Sequence, residues 1–303
     1  MTLFKRSSLI FDATNKRTGL LFVCAAASVW GLIWVPMRYV ESLGINALWV
    51  VAIFQILPFI ALLPFCRKSL ILHRADWGIY LAAGGAMGIG FALYSLGLVV
   101  GSVTKTTVLF YLTPIWSTIL GSIYLAETLT KERWVAISLG LLGCILIMQM
   151  NVFDMRFTKS DLLGLLSGIS WSVGSIVIGK YSKANIVNIT LFQYGVGAIL
   201  AGIAAVLVGM PIPDISMLIS ALPVAFVASV CVFLPSVLII FRVNQYVSPG
   251  LVGIVMLSEV VVAALSSALF LGEYLDYWQW LGFIAIIATG TYIGIISSQA
   301  VTD

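Results

Sequence analysis

The sequence predicts an all-α membrane protein, with ten transmembrane helices in two inverted repeats of five. Three observations predict it: the composition, the lengths of the apolar runs, and a self-match at a shift of 146 positions. Of the 303 residues 61% are hydrophobic and 9% charged, whereas soluble domains run near one-quarter charged, so there is too little polarity to cover a water-facing surface and the solvent is lipid. A hydrocarbon core about 30 Å thick takes about 20 apolar residues per helix. That leaves room for roughly ten crossings joined by short loops and for no sizeable soluble domain.

Charges and turn residues punctuate the chain into spans near 19–40, 45–65, 76–100, 102–125, 132–150, 160–180, 186–209, 214–241, 248–271 and 277–298. The first repeat is expected over 19–150 and the second over 160–298, with a linker at 151–159 and tails at 1–18 and 299–303. The amino-terminal tail carries Lys5, Arg6, Lys16 and Arg17 with no cleavage-site pattern after a short apolar stretch. An even number of spans puts both termini on one side, and loop charge says which. Of the 16 lysines and arginines, only Arg38, Lys105, Arg156 and Lys159 fall on the far side when the termini are inside. Cytoplasmic loops carry the excess of positive charge, so both ends are expected in the cytoplasm.

The basic residues are scattered and form no block, so nucleic acid is not an expected partner. Cys24, Cys66, Cys144 and Cys231 lie within or beside apolar runs with no CxxC spacing, which points to small core residues and away from a metal site or disulfide framework. No cofactor is expected, and the absence of a GxxxxGK[ST] loop excludes ATP-driven work by this chain alone.

At the shift of 146, Leu125 falls over Leu271, Glu127 over Glu273 and Trp134 over Trp280, and Tyr111-Leu112-Thr113 falls over Leu257-Ser258-Glu259. A weaker match at 141 lays Trp30 over Trp171. Five helices per copy is an odd number, so the second copy enters the membrane from the opposite side, the architecture of many secondary transporters.

The stretch Leu109-Phe110-Tyr111-Leu112-Thr113-Pro114-Ile115, followed by Tyr124-Leu125-Ala126-Glu127-Thr128-Leu129, resembles the signature that closes each half of the EamA-type drug/metabolite transporters. Its second copy is Val255-Met256-Leu257-Ser258-Glu259-Val260 with Phe270-Leu271-Gly272-Glu273-Tyr274-Leu275. Ala27-Ser28-Val29-Trp30-Gly31 and Ile169-Ser170-Trp171-Ser172 resemble the family's small-residue-and-Trp openings. Members often show Glu-Pro where this chain has Glu259-Val260, so the sequence supplies no proline to kink the ninth span there. The resemblance covers residues 19–298. It implies a ten-helix transporter, usually an exporter of amino acids or other small metabolites. The expected place is the bacterial inner (plasma) membrane, with small-molecule substrate and lipid as partners, as a monomer or homodimer.

Glu259 stands halfway along the ninth span, where an ionised side chain costs about several kcal/mol unless it faces a cavity or a partner. It reads as a proton site or a counter-charge for a substrate ammonium, or else as a carboxyl hydrogen-bonded between helices. Lys105, at the start of the fourth span, would meet a substrate carboxylate or snorkel to the interface. Trp30, Trp34, Tyr94, Tyr111, Trp116 and Trp171 lie on spans expected to face the seam between repeats, and Trp30 and Trp34 share a helical face. Aromatic rings wall an apolar cavity or hold a cation against the ring face. Trp49, Trp77, Trp134, Trp278 and Trp280 fall near span ends and fit the interfacial belt instead.

Gly84-x-x-x-Gly88, Gly97-x-x-x-Gly101 and Gly164-x-x-x-Gly168 are close-packing signals. Pro36, Pro58, Pro114, Pro223 and Pro235 fall within spans and mark candidate kinks. The expected function is alternating-access transport around a cavity lined by spans 1, 3, 4, 6, 8 and 9, driven by protons or exchange. The cargo is an amphipathic metabolite, amino acids first and cationic aromatic compounds second. The alternatives are an obligate exchanger and a channel. An intramembrane enzyme would need a paired-acid or nucleophile-base constellation within the spans, and a lone deep acid is too little.

Overall fold

The computed structural model describes residues 16–149, 157–272 and 274–299, with residues 294–299 described by their backbone alone. Glu273, most of the amino-terminal tail, most of the expected linker and residues 300–303 lie outside the described residues.

Every described element is helical, and eight helical segments among the described residues are long and apolar enough to cross a membrane. They are α1 (Lys16–Ser42), α2 (Ala47–Leu72), α3 (Arg74–Val100), α4 (Val103–Tyr124), α6 (Asp161–Lys180), α7 (Ile186–Leu207), α8 (Ile215–Asn244) and α9 (Pro249–Leu271). Two further apolar helices, α5 (Lys131–Ile147) and α10 (Tyr277–Gln299), pack on each other through Cys144, Ile147, Phe283 and Ile286. The large apolar side chains left bare on the outside, such as Phe65 at 75% exposure and Leu207 and Leu269 at 81%, are at home in acyl chains and would be a liability in water.

Apolar periodicity sets these helices, and caps set their starts. The Ser102 hydroxyl accepts from the Lys105 amide, that of Thr130 from the Arg133 amide, and the Asn185 carboxamide from the amides of Val187 and Asn188. Each satisfies donors that a first turn leaves orphaned. Helix α2 outruns its expected end at 65 and reaches Leu72, because Pro58 and Pro64 are absorbed within it and Arg67 and Lys68 stay exposed on its last turns. Helix α8 likewise carries Arg242 in its last turn.

Several spans are broken at places that hydrophobicity does not mark. Helix α1 stops at Trp30 and restarts at Trp34, α4 stops at Phe110 and restarts at Thr113, and α9 stops at Met256 and restarts at Ser258. The α9 break needs no proline. Its hinge residue Leu257 lies 146 positions after Tyr111 in the α4 break. Widened, π-type turns occupy Leu81–Gly85 in α3 and Val227–Phe233 in α8, and their first residues are again 146 apart. Such turns inside α-helices are frequent at functional sites.

The bundle is knitted by α2 against α7, α3 against α6 and α7, α4 against α6 and α9, and α1 against α8 and α9. The α3–α7 contact is close enough that a Cβ at Gly84 would overlap the Ile189 carbonyl oxygen and one at Gly88 would lie 2.6 Å from that of Gln193.

Candidate functional site

A cavity of about 810 Å³ lies between α1, α2, α3, α4, α6 and α9, with Ile147 and Met148 at the end of α5. Six of the eight residues singled out from sequence line it: Trp30, Trp34, Tyr94, Tyr111, Trp171 and Glu259. The expected contribution of span 8 is not found there. Helix α8 lies behind Trp30, whose indole Nε1 donates to the Ser236 hydroxyl at 2.8 Å, and α2 takes its place in the wall with Ala47 and Val51.

The α9 break positions the carboxyl. Restarting the helix at Ser258 puts Glu259 in the first turn of the second half-helix, the end whose free amides carry partial positive charge and favour an anion. Glu259 is half-buried and faces the same cavity as Tyr111, which belongs to the matching break in α4. Against this point α1 comes very close: a Cβ at Gly31 would stand 2.6 Å from the Glu259 carbonyl oxygen. Broken helices with ends aimed at a midplane site are a recurrent transporter device.

Rings enclose the rest. Trp30 meets Phe91 edge-on at 5.9 Å and Trp171 at 6.0 Å, Tyr94 tilts on Phe110 at 4.8 Å, and Phe110 meets Trp171 at 6.3 Å. Two polar pins fix the array: Tyr94 hydroxyl with Thr107 hydroxyl at 3.2 Å and the Trp34 indole donating to the Ser266 hydroxyl at 3.0 Å. Phe91 and Phe110 also line the cavity and do not stand out in the sequence, because an interior phenylalanine looks the same whether it lines a cavity or fills a core.

Two singled-out residues stand apart. Lys105 pairs with Asp161 of α6 at 3.8 Å, and Asp161 also accepts from the Thr158 amide, so this lysine ties the starts of α4 and α6 together. Trp116 is half-buried on the second part of α4, outside the cavity lining. A separate groove of about 480 Å³ runs between α1, α9 and α10 near Arg17, on the other side of the Gly31–Glu259 contact.

The cavity has a mouth. Glu41, Ala47, Val103 and Met148 line it at the ends of α1, α2, α4 and α5, so it opens at that end of the bundle. At the opposite end Glu127, after α4, accepts from Arg133 at 2.7 Å and from the Ser248 hydroxyl at 2.5 Å. Ser248 precedes α9, so this cluster ties α9 to the α4–α5 turn at that end.

The model of the EamA-like transporter family matches residues 17–149 and 158–294. Among curated proteins, the uncharacterized transporter YoaV of Bacillus subtilis is 22% identical over 60% of this chain and 64% of its own length. An S-adenosylmethionine uptake transporter of Rickettsia felis is 24% identical over 47% and 49%, and a riboflavin transporter of Vibrio cholerae 27% identical over 44% and 43%. The matches thus span between under half and just under two-thirds of these relatives. A solved crystal structure superposes with a TM-score of 0.69 over 93% of this chain and 98% of that one at 15% identity, which is a likeness of fold.

Proposed function

We propose that this chain, which belongs to the EamA-like transporter family, is a secondary carrier that moves small amphipathic metabolites by alternating access. It is a multi-pass membrane transporter of small molecules and not an enzyme. The proposal beyond that rests on one observation: the Glu259 carboxyl stands among aromatic rings deep in a cavity whose mouth carries a second carboxyl, Glu41, while the Glu127–Arg133–Ser248 cluster ties α9 down at the opposite end of the bundle.

That lining suits a cargo with an amine or other cationic group beside an apolar or flat body, held by charge at Glu259 and by ring faces around it. Amino acids and their relatives fit first and cationic aromatic compounds second. Ten spans in two inverted five-helix halves is the architecture we assign, supported by the paired helix breaks and paired π-type turns that share the 146-residue offset. With the termini in the cytoplasm of a bacterial inner membrane, the described state is outward-facing. Direction is set by the driving gradient and not by the cavity, so the export implied by the sequence resemblance and the uptake for which one relative is named are both open to such a device.

A thermal-shift screen over amino acids, polyamines, S-adenosylmethionine and riboflavin tests the cargo, because a ligand that binds only the folded state raises the melting temperature. Flux in proteoliposomes tests the mechanism. Saturable counterflow of a hit supports a carrier, while unsaturable conductance would replace it with a channel.

The Glu127 cluster gives a second expected result. Hydrogen bonds to a charged group contribute about 1.5–3 kcal/mol each, so Arg133→Ala or Ser248→Ala should shift the balance toward the inward-facing state by about tenfold or more. A cysteine placed at Thr118, which packs against Gly250 of α9, should then react faster with thiol reagents applied from the cytoplasmic side. Unchanged reactivity removes the cluster from the gate.

A further inference from the structure

We propose that Gln55, Gln193 and Ser229 form a second, neutral binding site behind Trp30, which takes one small group able both to donate and to accept hydrogen bonds. The three come from α2, α7 and α8 and are 2%, 1% and 1% exposed. Gln193 Nε2 donates to Gln55 Oε1 at 3.3 Å. That bond uses one end of each carboxamide and leaves Gln55 Nε2, Gln193 Oε1 and the Ser229 hydroxyl buried without a partner. Turning both amides over leaves the same set: one donor, one acceptor and one hydroxyl.

All three line one small chamber with room for about 20 Å³, together with Phe54, Trp30 and Phe91. A water needs about 10–15 Å³ of such room and two to four polar partners, and this site offers both. No charged side chain lines it, so it has nothing to neutralise an ion, and an apolar group would leave three polar atoms unsatisfied. The occupant is therefore neutral and polar. Ser229 lies in the π-type turn Val227–Phe233, and Trp30, Ile33 and Phe91 line both this chamber and the large cavity. The route of exchange runs past the Trp30 indole.

Two sources supply such a group, solvent water and the hydroxyl or carboxamide end of a cargo, and only the second rests on the carrier reading. Purified full-length protein and S229A are melted in buffer alone. An occupied site loses a hydrogen bond in S229A, and the melting temperature falls by about 2 °C or more. A dry chamber gains by shedding an orphan hydroxyl, so an unchanged or higher melting temperature overturns the proposal. Independently, the thiol of S229C in a C231S background should react with the small neutral reagent methyl methanethiosulfonate. W30A should speed that reaction at least about tenfold. A thiol that stays inert in both backgrounds also overturns it.

Repeating the melts in L-serine, L-glutamine and L-alanine separates the sources. A shift in L-serine or L-glutamine that is larger for the wild type than for S229A marks entry of a cargo group, and equal shifts mark water. If none of the three shifts either protein, the amino-acid cargo fails while the S229A comparison in buffer still stands.

Discussion

Glu259→Gln is expected to abolish transport driven by a pH gradient while leaving a folded protein that still exchanges neutral cargo. The exchange is nearly isosteric and removes only the ability to carry a charge or a proton. Glu259 faces a cavity, so a carboxamide in its place costs no packing. Melting temperature should therefore hold or rise, since removing a charge from the bilayer interior relieves a cost. Binding of an amine-bearing cargo should weaken by about tenfold to 150-fold, the equivalent of a charge-assisted hydrogen bond of about 1.5–3 kcal/mol. Neutral cargo should lose far less. The measurement is uptake into proteoliposomes with and without an imposed pH difference, beside counterflow at equal pH. Wild type should respond to both and the variant to counterflow alone. Transport that stays pH-dependent after the substitution would remove Glu259 from the mechanism.

The positions of the spans were legible because hydrophobic length is a property of the residues themselves, and most boundaries fall within a few residues of their expected places. The breaks were less legible, since Gly31, Tyr111 and Leu257 sit in apolar runs that hydropathy reads as continuous. A signal was present all the same: the self-match laid Tyr111 over Leu257, and the structure interrupts both helices there. Glu259 stood out because an acid deep in a span is expensive, and the aromatic set because Trp30 and Trp171 lie far from any interface.

Lys105 was harder to read. Its partner Asp161 is distant in sequence, and only the packing of α4 on α6 brings them together. Gln55 and Gln193 carry the same kind of signal as Glu259, a polar group inside an apolar run, without the charge that makes it conspicuous. Their significance comes from facing each other.

Gly84→Leu is expected to eliminate the folded protein. A glycine inside a helix is ordinarily a weakness that alanine would repair, and Gly78 and Gly290, with nothing within 4 Å of a new Cβ, should tolerate alanine with effects within about 0.5 kcal/mol. At Gly84 the first added carbon already overlaps the Ile189 carbonyl oxygen and lies 2.8 Å from the Gln193 amide nitrogen. Both obstacles are backbone of α7, so no rotamer change relieves them, and α3 and α7 must move apart. Overpacking that side chains can absorb costs about 1–3 kcal/mol. Here the whole contact, including Gly88 against Gln193, opens at once, against a total stability of about 5–15 kcal/mol for an ordinary fold. The expected readout is a graded series by size-exclusion chromatography and thermal melting in detergent. Wild type and Gly78→Ala should match, Gly84→Ala should melt several degrees lower, and Gly84→Leu should give no monodisperse peak. A Gly84→Leu protein as stable as the wild type would mean that α3 and α7 do not pack through this glycine face.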